Sequence, residues 1–123
     1  MTDKKTVFIA FAIEDEGQRN LFTGQSLHPK CPYEFIDLSV KDAYVSDWKD
    51  KVRTRIRRCH GVIALTSKNS LSSSGQKWEL DCAKDEKKRI LAVWAYTNDR
   101  SVLPGVPTVE WTWPKIDSFI ESL

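Results

Sequence analysis

Apolar residues fall along this chain in four short runs rich in β-branched and aromatic side chains: Thr6 to Ala12, Tyr33 to Leu38, Gly61 to Thr66 and Arg89 to Tyr96. Each is about the length of a strand, and polar stretches with helical spacing separate them. Asp15 to Gln25 presents Leu21 and Phe22 on one side. Ser46 to Cys59 opens on an N-cap residue and carries Trp48, Val52, Ile56 and Cys59 as a stripe. Ser73 to Lys87 begins with the Ser-x-x-Gln pattern of a capping box, and Pro114 suits the first turn of a last helix ending near Leu123. The order predicted is βαβαβαβ, then an irregular segment with Pro104, Gly105 and Pro107, a weak strand near Val109, and a helix. Near-continuous hydrophobicity in the strands implies burial on both faces. The expected fold is therefore α/β, a flavodoxin-like doubly wound parallel sheet in three αβα layers, with residues 1–123 forming a single domain.

That topology says where to look for chemistry. In such sheets ligands sit beyond the carboxyl ends of the strands, near the point where strand order reverses. The first strand leads into Phe11-Ala12-Ile13-Glu14-Asp15, the second ends at Asp37-Leu38-Ser39 and the third at Ser67-Lys68-Asn69-Ser70. With the start of the third helix, these loops predict a cleft holding Asp37, Ser67, Asn69, Trp78 and Glu79, with Phe11 and Ala12 at its floor. Glu79 is the unusual member. At about 100° per residue it falls within an apolar arc made by Trp78, Leu80, Cys82 and Ala83, while Asp81, Lys84 and Asp85 take the wet side. A carboxylate there loses hydration, so it needs a cleft or a partner. A catalytic acid satisfies that requirement, and so does an ion pair with Arg53 or Arg89. Glu86, two turns on and farther from the strand ends, reads as structural.

Composition removes several functional classes. A formal charge of +2 spread over interleaved acids and bases leaves no footprint for nucleic acid, and the run Arg53 to Arg58 reads as the solvated face of its helix. Cys31, Cys59 and Cys82 form no Cys-x-x-Cys pair and share no metal-ligand spacing with His28 and His60, so no metal is expected and reduced thiols point to the cytoplasm. Cys82 reads as a small buried hydrophobe. No stretch approaches the ~20 apolar residues of a membrane span, and the opening residues lack a signal-peptide core. A glycine-rich dinucleotide fingerprint and a P-loop are both missing from the sequence. The histidines lie in or beside helices, away from the rim that a Ser-His-acid triad would need.

One carboxylate can still serve one kind of bond cleavage. Breaking the link between ribose and a cationic nicotinamide releases a neutral leaving group, so no second carboxyl is needed as acid. An ionised Glu79 could hold the ribose hydroxyls and stabilise the developing oxocarbenium ion, with Trp78 or Phe11 shielding it from water. If water is excluded, a hydroxyl of the same substrate can attack and close a ring.

Taken together, Val7-Phe8-Ile9-Ala10-Phe11-Ala12, Phe35-Ile36-Asp37-Leu38-Ser39-Val40-Lys41, Trp48-Lys49-Asp50-Lys51, Arg55-Ile56-Arg57, Gly61-Val62-Ile63-Ala64-Leu65-Thr66-Ser67-Lys68-Asn69 and Trp78-Glu79-Leu80 resemble the TIR-like proteins of bacterial Thoeris anti-phage defence. The resemblance covers nearly the whole chain and loosens after about Trp94. It implies a TIR-like form of the flavodoxin-like fold, NAD as a consumed substrate with no resident cofactor, and a catalytic glutamate at Glu79. It places Phe11, Ala12, Asp37, Ser46, Trp48, Ser67, Asn69 and Trp78 around the substrate. It also implies a cyclic ADP-ribose isomer as product, a separate effector protein switched on by that messenger, a phage-derived trigger, and a homo-oligomer among the assemblies it admits. Typical TIR domains put a Cys and two further residues between the Trp and the Glu; here Trp78 abuts Glu79, as in the Thoeris-like branch. The segment Asp42-Ala43-Tyr44-Val45-Ser46 also differs from the usual loop, so neither the substrate gate nor the mode of self-association carries over. Two other readings fit the same fold class: a non-catalytic TIR-like or receiver-like interaction module, and a nucleoside deoxyribosyltransferase-like enzyme.

Overall fold

The computed structural model describes residues 5–25, 33–36, 48–103 and 105–123. Five strands, β1 (Lys5–Ala10), β2 (Tyr33–Ile36), β3 (Gly61–Thr66), β4 (Arg89–Trp94) and β5 (Thr108–Val109), form one sheet in the order β2-β1-β3-β4-β5. Every neighbouring pair is parallel, from Lys5 opposite Tyr33 at one side to Val93 opposite Val109 at the other. The helices are α1 (Glu16–Gln25), α2 (Trp48–Arg58), α3 (Ser74–Asp85) and α4 (Trp113–Glu121). This is the doubly wound, flavodoxin-like arrangement expected from the hydrophobic pattern. The chain steps outward from β1 to β2, then returns to build the other half from β3, so order reverses between β1 and β3.

Alternation along the strands sorts the core into two layers. Phe8, Ala10, Val62, Ala64 and Ala92 face α2 and α3, where they meet Val52, Ile56, Leu80 and Ala83. Val7, Ile9, Ile63, Leu65 and Val93 face the opposite way, onto Phe22 of α1 and Ile116 and Ile120 of α4. The stripe expected on α2 is present at Val52, Ile56 and Cys59, while Arg57 and Arg58 are exposed. α3 buries Glu79, Leu80, Cys82 and Ala83 and leaves Asp81, Lys84 and Asp85 in water, as its periodicity predicts. Burial pushes the thiols of Cys59 and Cys82 up, keeping them protonated and inert. Among the described residues, no helix is long and apolar enough to cross a membrane.

Glu86 closes the far end of α3 against α2. It accepts from Arg53 Nη1 at 3.0 Å and Arg57 Nε at 3.0 Å, and the Arg57 hydrogen bond, reinforced by Arg53, holds its carboxyl below the usual range despite some desolvation. The structural role expected for this residue fits that clamp.

Element ends differ from the sequence pattern where side chains or turns intervene. β1 stops at Ala10 instead of running to Ala12, because the chain bends into a 3-10 turn, Ile13–Asp15, with Asp15 N–H donating to Ala12 O at 2.8 Å. β4 stops at Trp94, two residues before Tyr96. Pro114 lies in the first turn of α4 as expected, and the helix ends at Glu121, two residues before Leu123. α3 ends at Asp85, short of Lys87. Lys87 has φ 59°, its N–H donates to Lys84 O at 3.0 Å, and Lys88 N–H reaches back to Ala83 O at 2.9 Å. That is a Schellman closure with lysine where glycine is usual. A side chain in the left-handed region costs about 1–2 kcal/mol, partly offset by the greater freedom a glycine has when unfolded. Lys87→Gly should therefore raise stability by up to about 1 kcal/mol, read as an increase in the midpoint of urea unfolding with an unchanged slope.

Candidate functional site

The ends of β1, β3 and β4 meet at one rim. Two buried polar side chains, Gln76 and Asp15, tie them together.

Gln76 lies in the first turn of α3. Ser73 caps that turn, its hydroxyl accepting from Gln76 N–H at 3.1 Å. The reciprocal half of the expected capping box does not form, because the Gln76 side chain turns into the sheet. Its Nε2 donates to Ala10 O at 3.1 Å and to Leu65 O at 2.9 Å. These carbonyls belong to the last residues of β1 and to β3, so the amide spans the place where strand order reverses. Gln76 is fully buried and its Oε1 has no hydrogen-bond partner. An acceptor left in that state costs about 1–3 kcal/mol, which a bound donor would relieve.

Asp15, at the end of the 3-10 turn after β1, is also fully buried. Its carboxylate accepts from Ser67 Oγ at 2.5 Å, Asn69 Nδ2 at 2.9 Å and the Tyr96 hydroxyl at 3.0 Å. Ser67 also caps the 3-10 helix Lys68–Ser72: its Oγ accepts from Asn69 N–H, and Ser70 Oγ accepts from Ser67 N–H, each at 3.1 Å. A second carboxylate extends the network outward. Asp99 accepts from Lys68 N–H at 2.8 Å, Ser101 N–H at 3.1 Å and Ser101 Oγ at 2.7 Å, bonds that hold it below the ordinary carboxylate range.

Glu79 follows Gln76 by three residues on the same face of α3 and is 1% exposed. The two arginines considered as its ion-pair partners are engaged elsewhere. Arg53 bonds to Glu86 and approaches Asp85 at 3.9 Å, and Arg89 Nη1 donates to Ser122 O and Oγ. Trp78 is partly buried against the α2 layer, with Lys49 Nζ 5.8 Å and Arg53 Cζ 5.7 Å from its ring centroid. Phe11 and Ala12 are fully buried beneath the rim, Phe11 in the α1 and α4 layer with Arg19 Cζ 5.1 Å from its ring centroid. Trp48 is the first residue of α2. Asp37 and Ser46 lie outside the described residues. The structure thus brings Ser67 and Asn69 together around Asp15 and sets Glu79 beside Gln76. Sequence reasoning treated Gln76 as part of a cap and Asp15 as a helix start, and it overlooked Tyr96. His60 stands at the opposite end of the sheet, its Nδ1 accepting from Thr6 N–H at 2.9 Å, away from the rim as expected.

Among the described residues, two clefts open at this edge, and Glu79 is not among their described lining residues. One, of ≈ 530 Å³, lies between Lys68 and Asn69 on one side and Asn98 to Ser101 on the other. The other, of ≈ 720 Å³, lies between α1 and the start of α4, with Tyr96 in its wall. Among the described residues no group of His, Cys, Asp and Glu could hold a metal ion. Compared with protein-family models and with curated proteins, the chain matches none.

Tyr96 makes the Asp15 network measurable. Burial first, and then its bond to Asp15, push the phenol above its ordinary value. A raised folded-state value means that its contribution is complete below the unfolded phenol's pKa, near 10, and is lost as pH rises through the folded one. Tyr96→Phe should lower stability by about 1–3 kcal/mol at neutral pH and should flatten the alkaline limb of the stability curve. Chemical unfolding at pH 7 and above pH 10, with wild type alongside, checks both.

Proposed function

We propose that this chain cleaves NAD, with Glu79 as the acid that stabilises the reacting sugar, and that the product is a cyclic ADP-ribose isomer acting as a messenger to a separate effector in anti-phage defence. The observation that carries the reading is a carboxylate removed from water one helical turn beyond the residue that bridges the ends of β1 and β3. That is the place where ligands bind in sheets of this order. Beside it, Gln76 Oε1 offers an acceptor to a ligand hydroxyl or amide.

The chemistry asks little more of the protein. As the C–N bond between ribose and nicotinamide stretches, its electrons pass to the ring nitrogen and neutralise the leaving group. Positive charge grows on the ribose carbon, and an ionised Glu79 opposes it at close range, where the low-dielectric surroundings strengthen the attraction. A hydroxyl of the same molecule then bonds to that carbon and releases its proton, giving the cyclic product; water in the same role gives ADP-ribose. The resemblance to Thoeris TIR-like proteins and the Trp78-Glu79 pair support the choice of NAD over other glycosides. The messenger role, the phage-derived trigger and residence in the cytoplasm are drawn from the same resemblance and from the reduced cysteines.

A second reading is a non-catalytic interaction module. It draws on the way Ser67, Asn69 and Tyr96 are all spent on Asp15, and on Trp78 lying against α2, which gives these rim groups a structural use.

Glu79→Gln separates the two. It keeps the volume and removes the charge, so nicotinamide release from NAD should fall by at least ~100-fold while the thermal midpoint stays near that of wild type. The assay follows nicotinamide and the mass of the nucleotide product, with and without a phage lysate as trigger. Turnover retained in the variant would move the acid role to another residue. No turnover by the wild type under either condition would favour the module, and loss of folding in the variant would make Glu79 structural.

A further inference from the structure

The larger cleft lies on the other side of the sheet from α3, and its chemistry is distinct. It opens over the end of β4, between α1 and α4, with Gln18, Leu21, Tyr96, Asn98, Trp111 and Trp113 in its wall. Its volume of ≈ 720 Å³ is within the range of small-molecule sites, about 300–1,000 Å³. None of the described residues lining it is charged.

The walls are held in place before anything binds. Trp111 and Trp113 lean on the buried ring of Phe22, with centroids 5.4 and 5.1 Å away. Tyr96 is anchored through its hydroxyl to Asp15. Gln18 Nε2 donates to Ala95 O at 2.6 Å, which fixes the amide and leaves its oxygen for another donor. Preorganised aromatic walls favour a flat ring system, since stacking then orders little in the protein. The amides of Gln18 and Asn98 and the hydroxyls of Thr97 and Thr112 supply donors and acceptors at the edges. An ionic ligand would leave its charge without a counter-ion against an apolar, uncharged wall. Leu21 stands at the cleft with 52% of its surface exposed, an apolar face that a ring would cover.

We propose that this cleft is a binding site for a neutral heteroaromatic base of one or two rings, separate from the Glu79 side of the sheet. The inference does not rest on NAD cleavage.

Adenine is the test ligand, followed through the indole N–H signals of ¹⁵N-labelled wild-type protein, with five tryptophans to assign. The signals of Trp111 and Trp113 should shift saturably. Leu21→Arg, which fills the opening and brings in a charge, should weaken binding by at least about tenfold without changing the remaining indole signals. Thr97→Arg, on the exposed turn after β4, serves the same purpose if the first variant does not fold. Glu79→Gln should bind adenine as wild type does, which keeps failure here distinct from failure of the catalytic reading. Benzamide and benzoate share a shape and differ in charge, and only benzamide should bind. Absence of any adenine shift up to its solubility limit would overturn the proposal. So would shifts that ignore both arginine variants, or benzoate binding as tightly as benzamide.

Discussion

A buried carboxylate has to be answered by donors, and in this protein Asp15 draws those donors from two other parts of the chain. Ser67 and Asn69 come from the exit of β3, Tyr96 from the exit of β4, and Asp15 itself from the exit of β1. Because a bond to an ionised group is about twice as strong as a neutral one, losing any of them leaves a buried charge less compensated. The strand exits therefore cannot drift apart independently. Gln76 does the neutral version of the same job between β1 and β3, and Asp99 repeats the carboxylate version farther out, between Lys68 and Ser101. Gln76 collects strand carbonyls and the two aspartates collect hydroxyl, amide and backbone N–H donors, so between them they tie the rim together.

The core was legible in the sequence because it follows from periodicity alone. β3 is Gly61–Thr66 by either route, and the wet and dry sides of α3 fall as a rotation of about 100° per residue places them. That the strands are parallel followed from alternation of strand and helix and from strands apolar on both faces. The rim was much less legible. Asp15 is 52 residues from Ser67, 54 from Asn69 and 81 from Tyr96, and nothing local distinguishes an aspartate that caps a helix from one that gathers distant donors. Gln76 misled in a different way: Ser-x-x-Gln has a local explanation, and the tertiary one took the side chain instead. The reach of α3 was overestimated for a similar reason, since Lys87 adopts a left-handed turn that composition gives no cause to expect.

Glu79 was singled out because its position on the helical wheel is apolar, and it is buried in the fold. Arg53 and Arg89, the partners considered for it, bond to Glu86 and to Ser122. Glu79 lies one turn from the strand-order reversal, next along the helix face from Gln76, whose buried amide oxygen has no hydrogen-bond partner. An acceptor in that state calls for a donor, and a hydroxyl or an amide would serve.

The two faces of the sheet then present different groups. On the α2 and α3 face the polar groups near the rim are Gln76 and Glu79; on the α1 and α4 face they are the neutral amides and hydroxyls of the tryptophan-lined cleft. Among the described residues, the link between the two regions runs through the rim. Tyr96 has its ring in the cleft and its hydroxyl on Asp15, which holds Ser67, the residue that follows β3; and β3 supplies the Leu65 carbonyl that Gln76 grips. A shift of the Tyr96 ring by a bound base would have to be absorbed by that bond, because Asp15 is packed too tightly to follow freely. Physical continuity of this kind couples the two sides to the extent that a ligand on one face binds differently when the other face is filled.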